Sequence, residues 1–561
     1  MKFHSRLLSR KSYGIRWFIL TTVLLVPLAA APQYSDLFGN NGSLWKRPGR
    51  LPDFSFAGYA RGEKAIPNLP VKASVKDFGA KGDGIADDTK AFKDAIASVD
   101  SGTIRIPAGL YKITDFIYIR KSNLVLRGAG SDSTVLVFPK GLNEILPKVG
   151  HTATGELTTA YSFDYAFLTI QGDFQGQTLA DIASVAKRGD STIEVSTTTG
   201  IALKQTITIR VQEDTNHTLK KYLYAGDPGD IAKGKMLDTW MMAKVVSITG
   251  KRIRLDRSLR FETRAEWSPE VRSFNPTVTG SGIENIALEF PAVPYPGHFK
   301  EVGFNAIEFR QAAHCWARNI RLQNADMGVL FASACFNTAN NITIAAYAGR
   351  GELHGHHAFQ FKSSQDNLVD TFDIKAKYVH DLSVEHAAGN VYSNGKGLDL
   401  CFDHHKDTPY ENLYSNIHCG AGTRVWLSSG GPSLGRHAAA WSTFWNIRAD
   451  RKFGMPDTSF SPDFINVIGA STNTSPNLDP KGKWIEPIPP EELAPPELRI
   501  EQLSLRLFGP ASIFNFQNDK GAGNWKGPVL EVRGNGIYLR TLNYQSRPNT
   551  SFLDLQGRLL P

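Results

Sequence analysis

From residue 281 to about 450 the chain repeats a short pattern: an Asn or Asp, then apolar and polar positions in alternation. Asn285-Ile286, Asn319-Ile320, Asn341-Ile342, Asp381-Leu382, Asn412-Leu413 and Asn446-Ile447 mark the steps. Four of them run on as strand-like triplets at 286–288, 320–322, 342–344 and 382–384. A second strand set interleaves with these at 307–309, 329–331, 359–361, 398–400 and 425–427. Alternation with period two puts the apolar members of each triplet on one face of a strand. Steps about 20–40 residues apart predict stacked rungs of a solenoid. The recurrent Asn predicts a side-chain ladder at a turn.

Elsewhere the pattern changes. In 172–280, Thr206-Ile207-Thr208-Ile209, Val245-Val246-Ser247-Ile248 and Arg252-Ile253-Arg254-Leu255 alternate between turn residues. Such runs predict short antiparallel strands, hence a small β subdomain inserted into the solenoid. Ala91, Phe92, Ala95, Ile96 and Val99 share one helical face, and Asp87 or Asp88 stands where a helix cap belongs. That helix would plug the open end of the solenoid, where an unpaired rung exposes backbone. Asp83, Asp87 and Asp88 are therefore read as structural. Residues 32–70 read as a strap. Pro487 to Pro496 reads as a linker, and the tail from 498 as β-like, with Leu505-Arg506-Leu507-Phe508 and Val529-Leu530-Glu531-Val532. The expected organisation is a leader at 1–31, the strap at 32–70, rungs at 71–171 and 281–450, the insert at 172–280, and further rungs with a β tail at 451–561.

Composition narrows the partners. The chain of 561 residues is 41% hydrophobic and 21% charged, which suits an ordered fold, and its net charge of +9 favours an anionic partner. No basic helix or aromatic-basic motif points to nucleic acid, so an acidic polysaccharide is preferred. Lys2, Arg6, Arg10, Lys11 and Arg16 precede a short apolar run from Trp17 to Ala31. This is the pattern of a cleavable export signal, and it predicts a secreted or periplasmic protein with no stable membrane insertion after cleavage. The four cysteines, Cys315, Cys335, Cys401 and Cys419, have no metal-ligand spacing and fit buried thiols as well as disulfides. Oligomeric state is not legible.

One stretch narrows the fold further. Val75-Lys76-Asp77-Phe78-Gly79-Ala80-Lys81-Gly82-Asp83-Gly84 leads into Asp87-Asp88-Thr89. Ile104-Arg105-Ile106-Pro107-Ala108-Gly109 and Leu124-Val125-Leu126-Arg127-Gly128-Ala129-Gly130 follow. This succession resembles the opening of the pectate-lyase-like superfamily, in its rhamnogalacturonase/epimerase branch. The resemblance implies an all-β fold, a right-handed single-stranded parallel β-helix with an N-terminal cap helix, acting on polysaccharides. It also implies Ca2+ as a neutraliser of substrate charge, with Glu385, Asp399 and Asp403 as possible ligands, although no calcium-loop signature is present.

The candidate chemistry lies at 352–411, which holds seven of the fourteen histidines. Alternation turns Lys362 outward from one strand and Asp399, Asp403 and His405 outward from another, with Phe361 aligned to Phe402 and Lys362 beside Asp403. The segment 378–386 is placed on an adjoining face and 389–397 in a turn. β-Elimination from a uronate needs a neutralised carboxylate, a base for the C5 proton and an acid for the leaving oxygen. His404 or His405 is the expected base, Lys362 the carboxylate partner, and His380 or Tyr392 the acid, with Asp403 among them. His356, Asn390, Tyr392, Lys396 and Arg424 are the expected substrate contacts. A transition metal on His354, His356, His357, His404 and Asp403 is a further reading. The preferred function is a secreted lyase of an acidic polysaccharide. A hydrolase of the same fold ranks second, since Asp399 and Asp403 would stand about 13 Å apart on one strand, too far for paired carboxyls. A non-catalytic glycan binder and a uronate epimerase complete the set.

Overall fold

Asn is one of the few non-glycine residues that readily enters the left-handed backbone region, and the repeat uses this property. In a computed structural model of the chain, residues 31–509 are described apart from 48, 232–236 and 462, together with the backbone of 526–533, 536–543 and 552–553. Successive strands stack in parallel register, Ile286 on Ile320, Ile342 and Phe372, and then Gly395, Ile417 and Ile447. Just before each of these positions the backbone turns left-handed, at Asn285 (φ 58°), Asn319 (φ 56°), Asn341 (φ 54°), Thr371 (φ 57°), Asn394 (φ 53°), Asn416 (φ 55°) and Asn446 (φ 56°). The side chains form the expected ladder, with Nδ2 of Asn319 donating to Asn285 Oδ1 at 2.7 Å and Nδ2 of Asn341 to Asn319 Oδ1 at 2.9 Å. The 286–288, 320–322 and 342–344 triplets stack as expected.

These strands belong to one long sheet that runs from Val71–Ser74 to Trp484–Glu486. A second parallel sheet stacks Ile117–Ile119, Leu168–Gln171, Asn305–Arg310, Met327–Ala332, Gly355–Lys362 and Tyr378–Glu385. A third face is closed by single parallel bridges, Thr279 to Ala313, Cys335, Gln365, Ala388 and Tyr410 in turn. The result is the right-handed parallel β-helix, all-β apart from short helices. Phe309, Phe331 and Phe361 stack inside it with ring centroids 4.9 and 4.8 Å apart, and the column continues through Tyr392, Tyr414 and Phe444.

The rung order near the histidines differs from the sequence expectation. Tyr378–Glu385 is not on an adjoining face. It pairs directly with Gly355–Lys362, setting Lys362 against Glu385, and the next rung continues through a bridge from Val384 to His404. Lys362 is thus two rungs from His405, and Phe361 does not align with Phe402. The segments 398–400 and 425–427 form no strand, and Leu398 is 54% exposed. Val391–Gly397, expected as a turn, is a strand of the long sheet. Asn412 departs from the outer ladder and joins a second, fully buried one with Asn337, Asn367 and Asn390. There the Oδ1 atoms of Asn367, Asn390 and Asn412 each accept the main-chain N–H of the preceding Asn at 2.9–3.1 Å, and that of Asn337 accepts the Cys315 N–H at 2.8 Å.

The cap helix spans Thr89–Ser98 and buries Ala91, Phe92, Ala95 and Ile96. Asp87 accepts the Thr89 N–H at 3.0 Å and the Thr114 hydroxyl at 2.6 Å, while Asp88 accepts the N–H groups of Lys81 and Gly82 at 2.6 and 3.0 Å. Asp87→Ala should therefore lower stability by about 0.5–2 kcal/mol. A denaturant titration checks this, and activity per folded molecule should be unchanged.

The insert is a six-stranded antiparallel sheet between Thr178 and Ser273 with its own core, which Ala388, Tyr410 and Trp441 of the β-helix join. The strap packs Phe38, Leu51 and Phe54 against Leu413, Trp445 and Leu498. Leu498–Phe508, expected as β-like, is an α-helix: Glu497 caps it by accepting the N–H groups of Arg499 and Ile500, and Leu498, Arg499, Gln502 and Leu503 form its buried stripe. All four cysteines are free and buried. Among the described residues no helix is long and apolar enough to cross a membrane. The expected leader lies outside the described residues, Ala31 excepted.

Candidate functional site

The outer face of the second sheet carries the site. Outward positions form two rows across the rungs: Gln171, Arg310, Ala332, Lys362, Glu385 and His405 in one, and Thr169, Glu308, Leu330, Gln360, Ser383 and Asp403 in the other. A loop bearing Asp164 and Tyr165 reaches over the first row. Lys362 Nζ and Arg310 Nη2 each lie 3.5 Å from an Asp164 oxygen, and the Arg310 guanidinium sits 4.7 Å from the Tyr165 ring centre. Burial pushes the Lys362 amine down, but Glu385 and Asp164 outweigh it and hold the pKa above its ordinary value. The row therefore carries two cations held in place by carboxylates, Lys362 by Asp164 and Glu385, and Arg310 by Glu308 at 2.5 Å as well as by Asp164.

Asp403 anchors the other end. It is fully buried, and His405 Nδ1 donates to its Oδ2 at 3.0 Å. His380 Nδ1 lies 3.4 Å from the same oxygen, the Ser383 hydroxyl donates to it, and the Ser429 N–H donates to Oδ1 at 2.9 Å. Burial alone would raise this carboxyl, yet the two imidazoles and the hydrogen bonds hold it well below the usual range. His405 is pushed down by burial and more than restored by Asp403, ending above the ordinary imidazole value. Its Nδ1 is committed to Asp403, which leaves Nε2 as the free ring nitrogen. His405, 21% exposed, is the open member of this group.

Behind it stand further imidazoles. Ring centroids of His357 and His380 are 4.8 Å apart, those of His356 and His357 4.2 Å, and those of His380 and His405 5.1 Å. His298 enters from the loop between two rungs, its ring 4.5 Å from that of His356. Burial drives His380 down to about 3 and His356 and His357 well below the normal imidazole value.

A family model described as rhamnogalacturonase A/epimerase, pectate lyase-like, matches residues 73–232. Over those residues the chain is similar to that family. A stretch of 109 residues is 39% identical to alginate lyase 7 of Azotobacter vinelandii, covering 18% of this chain and 12% of that protein. Another match of 109 residues is 36% identical to mannuronan C5-epimerase AlgE5 of the same organism, covering 18% and 11%. The chain thus spans about a tenth of the length of the curated relatives it matches. Its fold is similar to the tailspike protein gp49 from Pseudomonas phage LKA1 at 14% identity, over 71% of this chain and 70% of that one, with a TM-score of 0.46.

In this β-helix the expected site residues separate into two groups. Lys362, His380, Asp403, His405 and His356 come together, and Glu385 lies in the same row between Lys362 and His405. The others do not join them. His404 is fully buried against Tyr414, Phe444 and Phe460, where burial lowers it to about 4; a single bridge to Val384 sets it on the inner side, so the ring takes a place in the aromatic column. Tyr392 lies in the same column and donates to the Ser383 carbonyl at 2.8 Å, so it is no acid for a substrate. Asn390 belongs to the buried ladder. Lys396 projects from the long sheet beside Asp373 at 3.4 Å. Arg424 is consumed by Asp381 at 2.6 Å, and Asp399 accepts the Thr423 N–H at 2.8 Å. Among the described residues, Glu385, Asp399 and Asp403 do not gather around one point as a calcium site requires. His354 accepts the Lys377 N–H at 2.8 Å and stays apart. Asp164, His298, Ser383 and Ser429 escaped sequence reasoning. His298 follows the Pro-rich run Pro291 to Pro296, a break between rungs where a binding loop is most readily placed.

Proposed function

We propose that the protein is a polysaccharide lyase that cleaves a uronate-containing chain by β-elimination on this face of the second sheet. The observation that carries the reading is His405, fixed through Nδ1 on buried Asp403 and standing in one row with Lys362 and Arg310. In this reading the two cations bind the substrate carboxylate and draw charge from C5. Nε2 of His405 removes the C5 proton, the C–H electrons form the C4–C5 double bond, and the C4–O bond breaks with its electrons on the leaving oxygen. Where proton and leaving group depart from the same face, the imidazolium formed returns its proton to that oxygen. Asp403 steadies the imidazolium throughout. Its burial and full set of donors suit an orienting role rather than direct acid catalysis.

Uronate C5-epimerisation is the second reading. It begins with the same proton abstraction, and the chain's curated relatives include an epimerase beside a lyase at similar identity. Incubation with a panel of polyuronates should produce the ultraviolet absorbance of an unsaturated uronate. Deuterium entering C5 from heavy water without chain cleavage would assign the epimerase, and new reducing ends without the chromophore a hydrolase. Saturable binding with no chemistry would make the protein a glycan-binding β-helix.

A further inference from the structure

We propose that His298, His356 and His380 hold a divalent transition ion of the zinc class, at a site adjoining the Asp403–His405 pair. One ring nitrogen from each of the three lies within 4.8 Å of the other two. His356 is 1% exposed, and neither of its ring nitrogens has a hydrogen-bond partner; the buried Nε2 of His298 has none either. Buried polar atoms are nearly always paired, so nitrogens left idle and converging need an occupant.

The surroundings match what a metal-binding histidine requires. A ligating imidazole commonly turns its second nitrogen to a carboxylate, which fixes the ring and strengthens the donor. His380 Nδ1 faces Asp403 Oδ2 at 3.4 Å, and His356 Nδ1 faces Glu301 Oε1 at 3.5 Å. Glu301 is itself held, accepting the Tyr295 hydroxyl at 2.6 Å and the Phe299 N–H at 3.1 Å. With Nδ1 of each turned to a carboxylate, Nε2 is the nitrogen left for the common space, where that of His380 also lies 3.3 Å from Ser429 Oγ. His298 arrives on a loop, so it can close on an ion without moving a rung.

Three imidazole nitrogen donors select the metal. Imidazole suits Zn2+ and its neighbours, whereas Ca2+ and Mg2+ want oxygen. Three protein ligands leave one of zinc's four positions for water or a substrate oxygen. A neighbouring trio, His380, Asp403 and His405, is also close enough to bind an ion. Its Asp403 and His405 atoms are already engaged with one another and with Ser383 and Ser429, and His380, common to both trios, meets Asp403 and Ser429; the trio that adds nitrogens without hydrogen-bond partners, those of His298 and His356, is the one assigned. The ion does not depend on the lyase reading, since it would be present in a lyase, an epimerase or a binding protein.

The test is metal analysis of the purified full chain, stripped with a chelator and then titrated with ZnCl2 and, in parallel, CoCl2. About one Zn2+ per chain should bind with a rise in melting temperature, and Co2+ should give the visible absorption of a four-coordinate nitrogen site. His298→Gln and His356→Gln should each weaken binding at least tenfold, while His418→Gln, at a distant exposed histidine, should not. His298→Gln alters a partly exposed loop side chain, so its circular dichroism should match wild type and folding will not confuse the result. Absence of stoichiometric uptake overturns the proposal. So does full binding by His298→Gln together with loss in His405→Gln, which would put the ion in the neighbouring trio. CaCl2 binding as tightly as ZnCl2 would overturn it as well.

Discussion

His405→Gln is expected to lower turnover on a polyuronate about 10²–10⁴-fold, the usual cost of losing a general base. The β-helix should stay intact, because His405 is the exposed member of its cluster and Asp403 keeps the Ser383, Ser429 and His380 contacts when it is gone. Lys362→Ala should act on the same step by a different route. Its ammonium stands between Asp164 and Glu385 in the row that meets the substrate carboxylate. Removing it weakens the charge stabilisation of the carbanion-like transition state, so kcat should fall along with kcat/KM. His404→Ala tells the two kinds of histidine apart. It opens a hole in the aromatic column and should lower the melting temperature, whereas His405→Gln should not. Near-wild-type rates in both His405→Gln and Lys362→Ala would show that this row is a solvated face without chemistry.

The split between what the sequence revealed and what it hid follows from the geometry of a rung. The Asn-Ile steps were readable because one residue type serves one recurring left-handed backbone position, so periodicity and conformation coincide. Thr371 fills the same place without the Asn signature, and Asn394 and Asn416 fill it inside strands whose alternation the left-handed residue breaks. That break hid Val391–Gly397 as a turn. The neighbours of Lys362 were misplaced for a related reason. Phe361 and Phe402 look equivalent, but side-chain likeness does not set register in a parallel helix; the length of each loop does, and loop length carries no apolar pattern. The true neighbour, Tyr378–Glu385, contains His380 and Asp381 where a regular strand would carry apolar residues. His404 was ambiguous by alternation alone, and the single bridge from Val384 to His404 decided it. The helix at Leu498–Phe508 was hidden by Leu505-Arg506-Leu507-Phe508, which alternates as a strand does, while its cap and buried stripe lie earlier, at Glu497, Leu498 and Gln502. His298 and Asp164 sit in connecting loops, and their approach to the histidines depends on tertiary placement that no local pattern encodes.

Asp366→Asn should be the most destabilising single change in the body of the protein, at about 3–5 kcal/mol. Asp366 has a left-handed backbone (φ 55°) on the third face of the β-helix, and its carbonyl accepts the Gly58 N–H of the strap at 2.8 Å. Its carboxylate receives two guanidinium groups from the insert. Arg257 donates to it at 2.8 and 3.2 Å, and Arg260 forms a closer pair and also reaches Glu411 at 3.5 Å. These side chains are 1–4% exposed. One carboxylate thus ties together rung, strap and insert, and removing its charge leaves Arg257 buried with no carboxylate in contact. Asn keeps the shape and tolerates the same backbone, so the loss measures the charge. Arg257→Met should rescue part of it, because a buried ion pair costs less to replace whole than to break. The pH dependence has a definite sign. Burial raises the Asp366 pKa, but the two arginines outweigh it and hold the folded value below the ordinary one. The carboxylate's stabilisation is therefore complete above about pH 4 and fades as pH falls through the lowered folded pKa. The difference in unfolding midpoint between wild type and Asp366→Asn should accordingly be constant at neutral pH and shrink in acid. A constant difference down to strongly acid pH would mean that hydrogen-bond shape, rather than charge, holds the insert against the β-helix.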